Sequence, residues 1–198
     1  MVQEIHMPAT RTRVTVEDYH TMIANGQFQD GDAFELLDGE IVSKMTQNTL
    51  HAAVSEEFEA IIRALVGRAW SVRSQKPITL ARSEPDPDLV ISSGTFRTHL
   101  LRHPLSADIA LVVEVSDSSL AQDQGVKQAI YAQAELPIYW ILNLVDLCVE
   151  VYTQPIQTPT PHYTQISRYV PGDELPLILA GVEMGRLAVS DFLVVQGG

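Results

Sequence analysis

Ala107-Asp108-Ile109-Ala110-Leu111-Val112-Val113-Glu114-Val115-Ser116 decides the fold. It reads as a buried strand interrupted by one carboxylate. Desolvating an unpaired Glu is costly, so Glu114 calls for a compensating metal ion, a cation, or both. The two-residue period of a strand puts Ala110, Val112, Glu114 and Ser116 on one face. Ile109, Leu111, Val113 and Val115 form the other, wholly apolar face, which should pack on helices.

A base follows the acid. The segment from about Leu120 to Ala134 has the apolar spacing of a helix, and Lys127 falls on it with Leu120, Asp123, Ile130, Tyr131 and Ala134 within one face at roughly 100° per residue. Asp123 and Lys127 are spaced i, i+4, which is also the spacing of an ordinary surface ion pair. A surface pair would lie beside Gln122, Gln128 and Gln133, whereas this one lies with the apolar stripe. The spacing therefore predicts an inward lysine, able to position or help deprotonate a water or to stabilise a phosphoryl transition state.

Glu84-Pro85-Asp86-Pro87-Asp88-Leu89-Val90-Ile91 supplies a second acid. Its prolines restrict the residues before them and fix an extended entry into a strand. Asp88 touches the apolar run and is the better candidate for an inward carboxylate than Asp86. Two carboxylates at the ends of neighbouring strands can hold one Mg²⁺ and leave positions open for water and phosphate. The histidines are His6, His20, His51, His99, His103 and His162, and none pairs at tight metal spacing on a convincing helix. His51 is retained because it opens a helix. Gly-rich phosphate loops, Gly-x-Ser-x-Gly and Cys/His zinc spacing are all missing from the sequence.

Around this centre the chain alternates strands and helices, with hairpins at both ends. Residues 1–13 read as a mobile lead and 14–198 as one domain. Thr15-Val16-Glu17-Asp18 resembles a capping box opening a helix that ends near Gly26. Residues 33–42 read as a hairpin turning at Asp38-Gly39. Asn48 caps a helix to about Val66, with Leu50, Val54, Ile61 and Leu65 as its apolar face and Gly67 as its stop. Strands are expected at 71–80, 89–92, 138–142, 147–153 and 163–170, with loops at 93–106 and 154–161 (the first alternatively a short helix) and a final apolar segment at 187–195. The pattern predicts an α/β fold: a mixed central sheet flanked by helices, with an N-terminal hairpin.

Composition narrows the function. The 198 residues are enough for a substantial core, and 45% hydrophobic with 19% charged residues is an ordinary globular balance. There is no apolar run of about eighteen residues and no basic-then-apolar leader, so neither a membrane span nor a secretory signal is expected. The single cysteine, Cys148, cannot form an intrachain disulfide and suits a reducing cytoplasm. A formal net charge of −12 discourages broad adhesion to nucleic acid but suits a carboxylate site that binds a divalent cation. The segment 147–153 reads as an edge strand needing cover, which is compatible with a homodimer without requiring one.

Taken in order, Phe34-Glu35-Leu36-Leu37-Asp38-Gly39-Glu40-Ile41-Val42, His51, Pro87-Asp88-Leu89-Val90, Val113-Glu114-Val115-Ser116, Asp123-x-x-x-Lys127-x-x-x-Tyr131-Ala132 and Tyr139-Trp140-Ile141 resemble the Uma2 family, also called DUF820, over roughly residues 30–195. That family is placed in the PD-(D/E)xK superfamily. The resemblance implies a restriction endonuclease-like fold and Mg²⁺-dependent (or Mn²⁺-dependent) hydrolysis of DNA phosphodiesters. It makes Asp88 and Glu114 the acidic residues of the motif. Ser116 stands where the usual lysine would, and Lys127 on the following helix takes its place. Glu35 matches an acidic position that would complete the metal site. Asp123, Tyr131, Gln75 and His51 become supporting or substrate contacts. Two departures are Ile138, where the family often has Glu, and Ser43-Lys44-Met45 in place of a frequent Ser-Pro. The competing reading is an endonuclease-fold binding or assembly module with weak or no catalysis, motivated by the acidic charge. A hydrolase of a small phosphorylated molecule is a third.

Overall fold

Helix α1 (Val16–Ala24) starts at the expected capping box: the Asp18 amide donates to Thr15 Oγ1 at 3.0 Å, and the Thr15 amide donates back to Asp18 Oδ2 at 3.2 Å. The computed structural model describes residues 13–28, 34–44, 46–95 and 97–194. Residues 1–12 of the lead, Ala33, Met45, Phe96 and Val195 lie outside the described residues.

Strands β1 (Phe34–Leu37) and β2 (Glu40–Ser43) form the N-terminal hairpin. Its two-residue turn needs positive φ twice, and Asp38 (47°) and Gly39 (80°) provide it. Helix α2 (Thr49–Val66) begins where Asn48 accepts the His51 amide at 2.9 Å and stops at Gly67, whose φ is 64°. Its buried stripe is Val54, Phe58, Ile62 and Val66. This corrects the expected face, since Leu50, Ile61 and Leu65 lie at its margin and are only partly buried.

Six strands build the central sheet: β3 (Trp70–Ser74), β4 (Leu89–Ser93), β5 (Ile109–Ser116), β6 (Ile138–Asn143), β7 (Cys148–Ile156) and β8 (His162–Tyr169), in the order β3-β4-β5-β6-β7-β8. All neighbours are antiparallel except β5 and β6. A parallel pair needs a crossover. Here it is α3 (Leu120–Gln122), a π-helical turn (Asp123–Lys127) and α4 (Gln128–Gln133). A second hairpin, β9 (Glu174–Leu179) with β10 (Val182–Ala188), occupies most of the C-terminal segment.

The sheet is covered on both faces, so β5 is buried along its whole length. On one side, Phe58 and Ile62 of α2 and Leu177 of β9 pack with Leu111, Val113, Val115 and Trp140. On the other, Tyr131 and Ala132 of α4 pack with Val112, Tyr139 and Ile141.

Several expectations are corrected. The strand expected at 71–80 ends at Ser74, because Gln75 takes φ 50° and turns its amide onto the carbonyls of Pro87 and Asp88. Ala107 and Asp108 lie in a 3₁₀ turn rather than in β5. A register shift against β4 pairs Ile91 with Leu111 but Ser92 with Ile109, leaving Ala110 as the extra residue. Ala110 thereby joins the α2 side, and Ile109 crosses to the α4 side. Strand β7 runs on to Ile156, and Pro155 is tolerated because β6 pairs only as far as Thr153. Strand β7 is also interior, paired on both sides, so the edge-strand argument for a homodimer does not hold; the sheet edges are β3 and β8. No helix among the described residues is long and apolar enough to cross a membrane.

Candidate active site

The end of β5 carries Glu114 into the interior, 3% exposed. Its Oε1 accepts the Tyr131 hydroxyl at 2.6 Å and the Lys127 ammonium at 3.1 Å. Lys127 Nζ is also 3.4 Å from Glu35 Oε2 and 3.9 Å from Asp123 Oδ1. Three buried carboxylates thus surround one ammonium. When all are ionised, three negative charges against one positive leave an excess of two. Glu35 Oε2 and Asp123 Oδ1 are buried without a hydrogen-bond partner.

Burial pushes the Glu114 carboxyl up to about 8; Lys127 opposes that shift, while Asp123, Asp88 and Glu35 add to it. Burial also raises Glu35, against the pull of Lys127 and Lys44. Burial works against the charge on Lys127, but the carboxylates of Glu114, Glu35 and Asp123 outweigh it and hold its pKa above the ordinary lysine value. Lys127 therefore favours its charged form.

Asp88 stands at the entry of β4, across from the end of β5. Its Oδ2 accepts the Val115 amide at 2.8 Å and lies 3.2 Å from His51 Nε2. Burial would raise its pKa, but the His51 bond and charge, the Val115 amide and Lys44 outweigh burial and bring it below the usual value. Asp88 Oδ1 accepts Gln47 Nε2 at 3.2 Å, and Gln47 Oε1 in turn accepts Gln75 Nε2 at 3.2 Å.

The π turn explains where Lys127 points. Ser116 Oγ and Ser119 Oγ donate to Asp123 Oδ2 at 2.7 and 2.6 Å, and the Tyr139 hydroxyl donates to the Asp123 carbonyl at 3.2 Å. One residue on, Gln124 Nε2 donates to both oxygens of Glu150. Glu150 also takes Asn143 Nδ2 at 2.8 Å and the Tyr152 hydroxyl at 2.5 Å. The turn is thus tied to β5, β6 and β7. Through its bond to Asp123, Ser116 secures the helical segment that carries Lys127.

Glu35, His51, Asp88, Glu114, Asp123 and Lys127 line one cleft. Tyr131 stands directly behind Glu114, and Gln75 lies one step out through Gln47. Among the cleft-wall residues that sequence reasoning missed are Lys44, Gln47, Asn48, Asp117, Ser119 and Gln122. Asn48 was visible as a helix cap, but not its side-chain bond to Asp117 Oδ2 at 2.5 Å.

Among the described residues, no three His, Cys, Asp or Glu side chains stand close enough to enclose a metal ion by themselves. The donor chemistry still fits a hard divalent cation. The donors are carboxylate oxygens, two of them buried without a hydrogen-bond donor, and when all are ionised they outnumber the Lys127 charge. Mg²⁺ retains several waters and needs only one or two protein carboxylates.

A family model described as "Putative restriction endonuclease", Uma2, matches residues 16–190. Among solved structures, a putative nuclease belonging to DUF820 from Anabaena variabilis ATCC 29413 is similar, with a TM-score of 0.66 and 15% identity over 91% of this chain and 97% of that one. At that identity the likeness speaks for the fold. Comparison with curated protein sequences returns no match.

Proposed function

The chain belongs to the Uma2 family, and on that premise we propose that it is a Mg²⁺-dependent (or Mn²⁺-dependent) endonuclease hydrolysing DNA phosphodiester bonds. The observation that carries this reading is the convergence of Asp88, Glu114 and Lys127, from β4, β5 and the π turn, on one cleft. Asp88 and Glu114 would hold the metal, with the Val115 carbonyl and Glu35 as further donors. The ion would supply Lewis-acid polarisation of the phosphodiester.

Lys127, charged throughout, orients the attacking water and offsets charge developing on the phosphoryl oxygens. Tyr131 and Asp123 keep its ammonium and the Glu114 carboxylate in register. His51 keeps the Asp88 carboxylate ionised and fixed. The water oxygen bonds to phosphorus as the bond to the leaving oxygen breaks; the water gives its proton to bulk solvent, and the leaving oxygen takes one up from solvent.

Plasmid cleavage with Mg²⁺ or Mn²⁺ tests this. Wild-type protein is expected to nick or linearise DNA, and Glu114→Ala and Lys127→Ala are expected to lose that activity. Undiminished cleavage by both variants overturns the assignment. The net charge of −12 supports a second reading, a binding or assembly module that keeps the fold with little turnover. Calorimetry separates them: absence of both Mg²⁺ and nucleic-acid binding favours the module.

A further inference from the structure

The cleft is acidic, and the Lys127 ammonium is shared among three carboxylates at its base. A phosphodiester entering it meets like charge unless a cation waits at the mouth. Besides Lys127, the one Lys or Arg on the wall, among the described residues, is Lys44. It follows β2, and Asp86 steadies it from behind: Lys44 Nζ donates to the Asp86 carbonyl at 2.9 Å and lies 3.1 Å from Asp86 Oδ2. Two acceptors on one residue restrict a flexible side chain, while 18% side-chain exposure leaves it open to the cleft. Its field reaches inward: it opposes the rise that burial imposes on Glu35 and helps lower Asp88.

We propose that Lys44 is a substrate-binding residue that contacts a backbone phosphate of the nucleic acid and offsets the acidity of the cleft mouth. The bland alternative is a structural ion pair with Asp86. The two differ in what happens when each partner is removed. A phosphate contact is lost with Lys44 alone, whereas a structural pair is lost equally from either side. The inference rests on the endonuclease reading, and its test is arranged to separate the two.

The test measures binding of a fluorescein-labelled DNA duplex by anisotropy over a KCl series, with Ca²⁺ as the hard divalent ion, for wild type, Lys44→Met, Lys44→Arg and Asp86→Asn. Each phosphate contact adds about 0.9 to the slope of log affinity against log salt, which is about eightfold in affinity near ~0.1 M salt. Lys44→Met is expected to show a slope shallower by about 0.9 and affinity lower by about eightfold near ~0.1 M salt. Lys44→Arg is expected to restore most of both, and Asp86→Asn to bind as well as or better than wild type. If wild type binds and is cleavage-competent but Lys44→Met keeps the full slope, the Lys44 assignment alone is overturned. It is equally overturned if Asp86→Asn weakens binding as much as Lys44→Met does. If wild type neither binds nor cleaves DNA, the endonuclease reading fails with it.

Discussion

Lys127 Nζ lies 3.1 Å from Glu114 Oε1, with both side chains buried and Glu35 and Asp123 on the remaining sides of the ammonium. A buried pair offsets its own desolvation only when both partners are present, so removing one partner costs more than the pair contributes. This relationship makes the site a stability element as well as a chemical one.

The first prediction follows from that asymmetry. In metal-free buffer, Lys127→Met should destabilise the protein by about 3–5 kcal/mol, because it leaves buried carboxylates without their cation. Adding Glu114→Gln should recover part of the loss, giving a coupling of about 0.5–3 kcal/mol in a double-mutant cycle. Urea unfolding of the four proteins reads this out. Strictly additive effects would mean that the two side chains do not share a buried environment.

His51, the third residue of α2, sits 3.2 Å from Asp88 Oδ2. Groups that orient a ligating carboxylate typically cost about 10- to 100-fold in metal affinity or activity when removed. His51→Ala is therefore expected to raise the Mg²⁺ concentration for half-maximal cleavage by about that factor. An unchanged Mg²⁺ dependence would remove His51 from the site.

These residues also show how much was legible beforehand. Glu114 and Lys127 announced themselves because a charge inside an apolar period is a local anomaly. Asp38-Gly39 marked its turn because few dipeptides tolerate two positive φ angles. The π turn was not legible: a helical wheel assumes about 100° per residue, and only tertiary anchors such as Ser116 and Tyr139 reveal a departure from it. The Ala110 bulge escaped for the same reason, since an inserted residue leaves composition unchanged while it exchanges the faces of Ile109 and Ala110. Lys44 and Asp117 reach the cleft only through the docking of the hairpin and α2 against the sheet, which no local pattern encodes.

A turn far from the cleft gives a pH-dependent prediction. Asp108 Oδ2 accepts the Leu105 amide at 2.9 Å and is paired with Arg102. The Arg102 bond holds the Asp108 carboxyl below its ordinary value of 3.8. A depressed folded-state pKa contributes stability above the unfolded value, and that contribution disappears as pH falls through the folded one. Asp108→Ala should cost about 1 kcal/mol near neutrality. The gap between variant and wild type should begin to narrow near 3.8 and close as pH falls through the lowered folded-state pKa. A gap that stays constant in urea titrations at stepwise lower pH would refute the charge-based account.

Gly39 tests the hairpin that carries Glu35. Its φ is 80°, and a Cβ there would lie 2.7 Å from Arg13 Cβ and 3.2 Å from the Val14 carbonyl oxygen. Gly39→Ala combines a left-handed backbone penalty with a close contact against near-backbone atoms, for a loss of about 1–3 kcal/mol. Because β1 holds Glu35 beside Lys127, cleavage should fall with stability. Thermal unfolding that matches wild type would show that the turn relaxes freely.

Glu150 is a buried carboxylate held by three neutral donors, Gln124, Asn143 and Tyr152, with no cation among these bonds. Its bond to Gln124 ties the π turn to β7, three residues before Lys127. Replacing the carboxylate with an amide sets an NH₂ group against donors that need an acceptor, so Glu150→Gln should cost about 1.5–3 kcal/mol. Gln124→Ala removes the tie to the turn but leaves Asn143 and Tyr152 bonded to Glu150. It should therefore cost less stability while lowering kcat for DNA cleavage with KM unchanged, because only the placement of Lys127 is disturbed. If Gln124→Ala cleaves like wild type, the bonds to Asp123 suffice to hold the turn, and Glu150 serves the core alone.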